Sequence, residues 1–274
     1  MNEVIKAIIL GIVQGLSEFL PISSSGHLVL FEEMLNFHQN GLALEVFVHF
    51  GTLLAVLVVF RKDIWQMIRW LPGVPGFIAR GLKIEEEADI YRGLSLFIVV
   101  GSIPAGIIGL LFKDQVEQLF ASPMLVLFAL FTTGVILWSS RYVEEHHPFM
   151  NLGHAILIGI AQAFAIIPGI SRSGSTIVTG LWLGINRETS ARFSFLLSTP
   201  VIFGATLLQL KDLLETPPPS NEITYLTAAT VAAAISGYVA IIWLLDIVRR
   251  QKLEWFGIYC FAVSLIGGAV LYFA

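Results

Sequence analysis

The sequence predicts an all-α polytopic membrane protein with six transmembrane helices and two re-entrant helical hairpins in an inverted-topology repeat. Hydrophobic residues make up 56% of the chain and charged residues only 13%, whereas soluble domains carry about 25% charged residues. Two further observations support this prediction: several long apolar segments, and one interrupted motif that occurs twice. Together they predict a single integral membrane domain.

The first element, residues 7–30, is apolar but broken near its middle. It contains Pro21, several glycines and three consecutive serines. Irregular backbone at membrane depth is tolerated only where protein or a wet cavity covers it. The segment is therefore predicted to be a re-entrant hairpin and not a span.

Apolar segments long enough to cross ~30 Å of hydrocarbon follow in both halves of the chain. The first half, residues 1–148, adds three spans to the hairpin. The second half, residues 149–274, opens with a similar hairpin at 155–183 and also adds three. The six predicted spans are 42–60, 94–112, 122–140, 191–210, 224–246 and 255–273.

The two hairpins are related in sequence. Gly11–Gln14 matches Gly159–Gln162, and Ile22–Gly26 matches Ile170–Gly174, always 148 residues apart. Such self-similarity indicates an internal repeat. Because an odd number of spans separates the copies, they enter from opposite faces of the membrane. The hairpin tips are therefore predicted to meet near the midplane.

Positive charge fixes the predicted orientation, because loops rich in Lys and Arg stay in the cytoplasm. Both termini then face outward, and the segment 61–92 is expected to be interfacial or flexible. No basic patch of the kind that binds nucleic acid is present, and the single Cys260 excludes an internal disulfide. The loops assigned to the cytoplasm are 61–92, 141–153, 183–190 and 247–254.

Gln14 and Glu18 are the first candidates for chemistry. They lie four residues apart and so share one helix face. A carboxylate at membrane depth is unfavourable and marks a functional site by default. The alternative is that Glu18 sits at the interface and caps backbone donors.

A cluster of hydroxyl groups opens the second arm of the first hairpin. Ser23, Ser24, Ser25 and Gly26 combine hydroxyl donors with the free N–H groups of a helix N-terminus, which favours an anion. Ordinary N-capping by serine is the alternative. His27 follows Ser24 by three residues, within reach as an acid or base, although a structural role is also open.

Arg172 occupies the position in the second hairpin that is equivalent to Ser24. Its guanidinium stays charged and needs an anion, which is either Glu18 in a structural pair or a ligand. So many donors around one Arg suit a phosphate or diphosphate better than a carboxylate alone. The neighbouring residues of this cradle are Ser171, Ser173, Gly174, Ser175 and Thr176.

Glu45 and His49 form a further polar pair, four residues apart in the first predicted span. They either line the same cavity or only bridge helices.

Two motifs resemble those of a known family, the bacterial undecaprenyl-diphosphate phosphatases, also called bacitracin-resistance proteins. They are QGLSEFLPISSSGH at Gln14–His27 and PGISRSGST at Pro168–Thr176. That family carries Glu or Gln at the position of Gln14. The resemblance implies six spans, two re-entrant hairpins and a site that opens outward. It also implies removal of the terminal phosphate from a C55 isoprenyl diphosphate, which recycles the carrier lipid for peptidoglycan synthesis and confers bacitracin resistance.

The resemblance further implies a divalent cation, Mg²⁺ or Ca²⁺, which Glu18 and Gln14 are expected to hold. Ser24 is expected to attack phosphorus, or to position an attacking water. His27 is expected to activate that nucleophile or protonate the leaving oxygen, and Arg172 to clamp phosphate oxygens. The expected substrate-binding residues are Ser23, Ser25, Gly26, Ser171, Ser173, Gly174 and Thr176.

The expected partners are a polyprenyl diphosphate lipid and the bilayer of the bacterial inner (plasma) membrane, with no nucleic acid; a homodimer is left open. A rival function is a transporter or flippase for an anionic polyprenyl phosphate lipid, since paired broken helices are common in carriers. A carrier needs anion donors but no nucleophile and base, such as Ser24 and His27.

Overall fold

A computed structural model describes residues 2–37, 41–112, 115, 119, 122–144, 150–215, 217–250 and 252–273. The predicted boundary between the halves, at residues 148 and 149, lies outside this part of the chain. Within it the regular secondary structure is helical. The α-helices are α1 (Glu3–Phe19), α2 (Ser24–Met34), α3 (Gly41–Val59), α4 (Arg61–Trp70), α5 (Val74–Ala79), α6 (Glu87–Leu111), α7 (Pro123–Ser139), α8 (Leu152–Phe164), α9 (Arg172–Trp182), α10 (Arg187–Glu215), α11 (Ile223–Arg249) and α12 (Glu254–Phe273).

All six predicted spans are helical in the structure. Helices α6, α7, α10, α11 and α12 are long and apolar enough to cross a membrane, and α3 forms a pair with the following helices that bends by 75°. Their outward surfaces are apolar: Leu110, Phe128 and Leu265 are each more than half exposed. Such surfaces suit lipid and confirm a multi-pass membrane protein with five or six candidate spans.

The segment 61–92 is more ordered than the sequence suggests. It contains α4 and α5, joined by a 3₁₀ turn at Leu71–Gly73. Arg61–Trp70 is amphipathic, with charged residues between its aromatic and aliphatic ones, so its helical period is easily missed in a loop rich in charge and glycine.

Both predicted hairpins are broken helices. The first breaks between α1 and α2, where Pro21 cannot donate a backbone hydrogen bond. The second breaks between α8 and α9, where Gly169 adopts φ +93° and a Cβ would lie 2.2 Å from the carbonyl oxygen of Val126. Ser23 has φ 69°, a conformation that L-residues seldom adopt and that clusters at functional sites.

Two equivalent glycines pack the hairpins against the rest of the fold. On Gly11 of α1, a Cβ would lie 2.3 Å from the carbonyl oxygen of Ala229 in α11; on Gly159 of α8, it would lie 2.3 Å from that of Gly101 in α6. Each hairpin therefore packs on the middle span of the other predicted half. Small residues allow this close approach of two helix backbones.

A buried aromatic cluster fixes the end of α1 against helix α10. The ring of Phe19 meets that of Phe195 edge-to-face, with centroids 5.8 Å apart, and Phe195 also contacts Phe60. Phe19 is the last residue of α1, so this contact fixes the end of the helix that carries Glu18.

Replacing Gly159 by Ala should lower the free energy of unfolding by about 1–3 kcal/mol, because the added methyl overlaps the backbone of Gly101 and the helices must separate. Thermal unfolding in detergent measures the change. Gly106→Ala in α6 is the control, since a Cβ there meets no described atom within 4 Å. Equal losses in both variants would contradict the packing argument.

Candidate active site

The structure brings the tips of the two hairpins into contact. The Ser173 hydroxyl donates to the carbonyl of Leu20 over 3.3 Å, and Gly174 lies against Pro21. Thr133 of α7 supports the second tip, because its Oγ1 donates to the Gly169 carbonyl and accepts from the N–H of Ser171, both at 3.0 Å. The start of α9 therefore faces the break in the first hairpin.

Glu18 lies at the centre of the polar network. Its Oε1 accepts a hydrogen bond of 2.7 Å from Nη2 of Arg172, and its Oε2 accepts one of 2.7 Å from the Ser24 hydroxyl. The Glu18 and Arg172 side chains are 8% and 15% exposed. One buried carboxylate thus joins the predicted nucleophile to the predicted phosphate clamp, and Glu18 and Arg172 are 154 residues apart in the sequence.

Gln14 connects Glu18 to His49. Its Nε2 donates to Glu18 Oε2 over 3.0 Å and lies 3.2 Å from Nε2 of His49. His49 Nδ1 is 2.8 Å from the carbonyl oxygen of Glu45. Because a carbonyl only accepts, Nδ1 carries the proton and Nε2 accepts the second amide hydrogen. His49 therefore lines the site, as the four-residue spacing from Glu45 allowed.

Two buried polar atoms of this network remain unbonded. Nη1 of Arg172 and Oε1 of Gln14 have no hydrogen-bond partner within the part of the chain that the structure describes. Buried donors and acceptors are almost always satisfied. An anionic oxygen would satisfy the guanidinium, and a cation or a donor would satisfy the amide oxygen.

Both ring nitrogens of His27 contact groups other than the Ser24 hydroxyl, with which the sequence spacing had paired it. Its Nδ1 lies 2.8 Å from the carbonyl oxygen of Ser23, and its Nε2 lies 2.7 Å from the hydroxyl of Tyr259 in α12. The two rings are stacked, with centroids 5.6 Å apart. Sequence reasoning missed Tyr259, because 232 residues separate it from His27 and no local motif marks it.

The remaining hydroxyls of the predicted cradle bond protein groups. Ser171 caps α9 by accepting from the N–H of Gly174 over 3.1 Å. Thr176 Oγ1 lies 2.9 Å from the carbonyl of Arg172 and 2.6 Å from the Ser194 hydroxyl. These bonds fix the first turn of α9 and with it the position of Arg172. In the first hairpin, the hydroxyls of Ser23 and Ser25 are 3.4 Å apart, and Gly26 follows them in the first turn of α2.

The oxygen groups near Glu18 are of the chemical type that divalent cations bind. No group of three or more His, Cys, Asp or Glu side chains with metal-binding geometry occurs among the described residues. The Glu18 carboxylate and the unbonded amide oxygen of Gln14 remain as ligands. Mg²⁺ is commonly held by one or two carboxylates, with substrate phosphates and water as its other ligands.

Comparison with known proteins identifies the family of this chain. A family model described as bacitracin resistance protein BacA matches residues 7–266. The chain belongs to this family. It is 46% identical to an undecaprenyl-diphosphatase of Halothermothrix orenii and 44% identical to one of Methanobrevibacter smithii, each over 269 residues and 96% of both chains. A third relative of the same name, from Methanosphaera stadtmanae, is 40% identical over 97% of both chains.

All residues of the polar network lie within the range that the BacA family model matches. The match runs through both hairpins and nearly the whole of the six predicted spans. The relatives share the full length of the chain and not only the two motifs, so the likeness extends to the helices that position the site.

The Arg172→Met variant should be less stable by about 3–5 kcal/mol, because Glu18 remains buried without its cation. The double variant Glu18→Gln/Arg172→Met should recover most of this loss, since no buried charge is left. The free energy of unfolding in detergent is measured for the unmodified protein, the single variant and the double variant.

The control for this prediction is the exposed pair of Arg249 and Glu188, whose side chains are 60% and 49% exposed. Arg249→Met should change stability by less than about 1 kcal/mol. A double variant no more stable than Arg172→Met alone would show that the ion pair is not what the single substitution disrupts.

Proposed function

We propose that this BacA family member is an integral-membrane phosphatase that hydrolyses undecaprenyl diphosphate to undecaprenyl phosphate and inorganic phosphate. One observation carries the proposal. The buried Arg172 and the Ser24 hydroxyl both donate hydrogen bonds to the carboxylate of Glu18, and Nη1 of Arg172 has no partner among the described residues. This arrangement offers a phosphate both a clamp and a nucleophile. The names of the relatives support the same reaction.

The product would re-enter peptidoglycan synthesis as the carrier lipid, and removal of the diphosphate would confer resistance to bacitracin. The protein would lie in the bacterial inner (plasma) membrane with both termini and the mouth of the site facing outward. Six spans and two re-entrant hairpins in an inverted repeat are part of the proposal. The reciprocal packing of Gly11 and Gly159 on the opposite halves supports the repeat.

Glu18 would serve as the base for Ser24. The Ser24 hydroxyl already donates to Glu18 Oε2 over 2.7 Å, so the carboxylate can take its proton as Oγ attacks the terminal phosphorus. The bond from phosphorus to the bridging oxygen breaks, and undecaprenyl phosphate leaves. Water then attacks the phosphoserine, Glu18 returns its proton to the Ser24 oxygen as that oxygen leaves phosphorus, and the phosphate departs as dihydrogen phosphate with both hydrogens of the water.

Arg172 would bind oxygens of the transferred phosphoryl group. Its Nη1 is free to donate while Nη2 remains on Glu18, so the guanidinium can bridge the base and the substrate. A planar fork of donors suits this geometry better than a lysine ammonium. Its fixed charge stabilises the negative oxygens of the transition state in a site shielded from water.

We further propose that Glu18 and Gln14 hold a divalent cation, Mg²⁺ or Ca²⁺. When bound, it would neutralise charge on the phosphate oxygens. Gln14 would orient towards it through Oε1, while both hydrogens of Nε2 remain on Glu18 and His49. Ser23, Ser25, Gly26, Ser171, Ser173, Gly174 and Thr176 would complete the binding of the diphosphate by their backbone and side-chain groups.

The rival function, transport of an anionic polyprenyl phosphate lipid, explains less of the site. A carrier needs Arg172 and the helix N-termini to bind an anion. It does not need a serine hydroxyl bonded to a buried carboxylate. Release of inorganic phosphate from a polyprenyl diphosphate by purified protein supports the enzyme, and binding without release would support the carrier.

Arg172→Ala should lower kcat/KM for phosphate release by about a thousandfold, the loss typical of arginines that stabilise a transferred phosphoryl group. Arg172→Lys should recover little, because the ammonium cannot reach Glu18 and the phosphate together. Release of phosphate from a polyprenyl diphosphate in detergent measures both. Near-normal rates in Arg172→Ala would contradict the clamp.

The serine cluster offers its own internal controls. Ser24→Ala should abolish turnover, whereas Ser23→Ala and Ser25→Ala should lose less, because Ser24 is the serine of this cluster whose hydroxyl donates to Glu18. Similar mild losses in all three variants would instead indicate that water attacks phosphorus directly.

Gln14→Leu should raise the Mg²⁺ concentration for half-maximal activity about tenfold or more, since a metal ligand is lost. Titration with Mn²⁺ followed by electron paramagnetic resonance measures the same change without substrate. Gln162→Leu is the matched control: it is the equivalent, buried glutamine of the second hairpin, and no Glu stands four residues after it. Equal metal affinity in both variants would contradict the assignment of Gln14.

A further inference from the structure

An apolar groove of about 550 Å³ lies between helices α1, α2, α11 and α12. Helix α1 contributes four residues to it whose spacing places them on one helical face. The Ser17 hydroxyl already donates to the carbonyl of Val13 over 2.6 Å, so this face offers a ligand hydrocarbon contacts and no free donor. The four residues, called the α1 stripe below, are Val13, Leu16, Ser17 and Leu20.

The α1 stripe is not the face of α1 that carries the polar network. Gln14 and Glu18 belong to the neighbouring face, and neither is part of the described lining of the groove. The groove meets the first hairpin at Leu20 and Ile22, on either side of Pro21. A molecule in the groove would therefore pack against the break without entering the phosphate-binding network.

One end of the groove lies at the membrane surface. Lys252 lines that end, and it stands in the short connection between the candidate spans α11 and α12. Trp243 and Trp255 also line the groove and are 52% and 63% exposed. Tryptophans of this kind lie at the level of the lipid head groups. The groove thus has a polar end at the surface and an apolar interior, which is the polarity of a phospholipid.

Lys252 is the unpaired cation of this connection. Its neighbours Arg249 and Arg250 are bonded to carboxylates at 2.7 and 2.8 Å, whereas the Lys252 ammonium has no ion pair within the part of the chain that the structure describes. A lysine side chain at the membrane surface attracts anionic head groups. The charge at the mouth of the groove therefore complements a lipid phosphate.

We propose that the groove binds an anionic phospholipid of the surrounding membrane, with its phosphate on Lys252 and one acyl chain along the α1 stripe. The site is separate from the phosphate-binding network, and the proposal does not rest on the phosphatase function. Because the lipid contacts both sides of the break, its binding stabilises the folded hairpin by mass action.

The prenyl tail of a diphosphate substrate is the competing occupant. A head group held by Glu18 lies on the neighbouring face of α1, so its tail would have to run towards the charged end at Lys252. A phospholipid enters the groove the other way round, with its head group at the surface and its chain pointing inward. The polarity of the groove therefore favours the phospholipid.

Two lipids with identical oleoyl chains test the proposal: phosphatidylglycerol, which is anionic, and phosphatidylcholine, which has no net charge. Native mass spectrometry of the full chain in detergent measures the binding of each. The unmodified protein should prefer phosphatidylglycerol about fivefold, and Lys252→Gln should remove this preference, the equivalent of one lysine at a lipid surface. Equal affinity of the unmodified protein for both lipids would overturn the proposal.

Lys83→Gln is the matched control for the charge. Lys83 is an exposed lysine of the segment 61–92, which the charge distribution assigns to the same side of the membrane, and it is not part of the described lining. Its substitution removes the same charge and should leave the preference for phosphatidylglycerol unchanged. Equal losses in both variants would show a general attraction to the positive surface and would refute a site at Lys252.

Val13→Phe tests the apolar part of the groove, because the larger ring fills the space of the acyl chain. Added phosphatidylglycerol should raise the Tm of the unmodified protein and of the control Ile12→Phe, but not that of Val13→Phe. Ile12 is 41% exposed and is not part of the described lining. The same rise in both variants would contradict the placement of the chain. If Val13→Phe does not fold, the comparison of Lys252→Gln with Lys83→Gln decides.

Farnesol, an uncharged prenyl chain, separates the two occupants. It should not displace phosphatidylglycerol at equal concentration, because it has no group for Lys252. Displacement would assign the groove to the substrate's tail and would overturn the proposal. None of these measurements needs turnover, so they decide the lipid site whether or not the protein releases phosphate.

Discussion

The ion pair between Glu18 and Arg172 is the interaction on which the site depends. It joins the two hairpins directly, one charge from each, in a setting where neither is favourable alone. The pair also decides the state of Ser24, whose hydroxyl donates to the same carboxylate. Glu18 therefore both links the two hairpins and orients the Ser24 hydroxyl. A substrate phosphate would enter a network whose charges and hydrogen bonds are already in position.

The hairpins can meet only because backbone approaches backbone elsewhere. Gly11 and Gly159 let each hairpin lie directly on a helix of the other predicted half. At both glycines a Cβ would overlap a backbone carbonyl oxygen of that helix. Phe19 then locks the end of α1 against α10. A shift of 1 Å at either glycine would be transmitted along a rigid helix to Glu18, and catalytic geometry tolerates little misplacement.

Sequence patterns predicted the helices better than the contacts between them. Hydropathy located the helices of the six predicted spans, five or six of which are candidates to cross the membrane. Pro21 and the glycines of the second motif located both breaks, because these signals are local. The Glu18–Arg172 pair was one of two alternatives, since charge alone does not say whether an arginine meets a carboxylate or a ligand. The contact of Tyr259 with His27 could not be predicted from the sequence, because it depends on how α12 is rotated about its axis.

The chemistry arises where the two copies of the repeat differ. The shared features, the break and a helix that starts after a serine, bring two N-termini together and would serve any anion. Arg172 stands at the position of Ser24 in the second copy, so in the proposed mechanism one copy supplies the nucleophile and the other the clamp. Glu18 has Ile166 as its counterpart, and a second carboxylate there would repel both its twin and the phosphate.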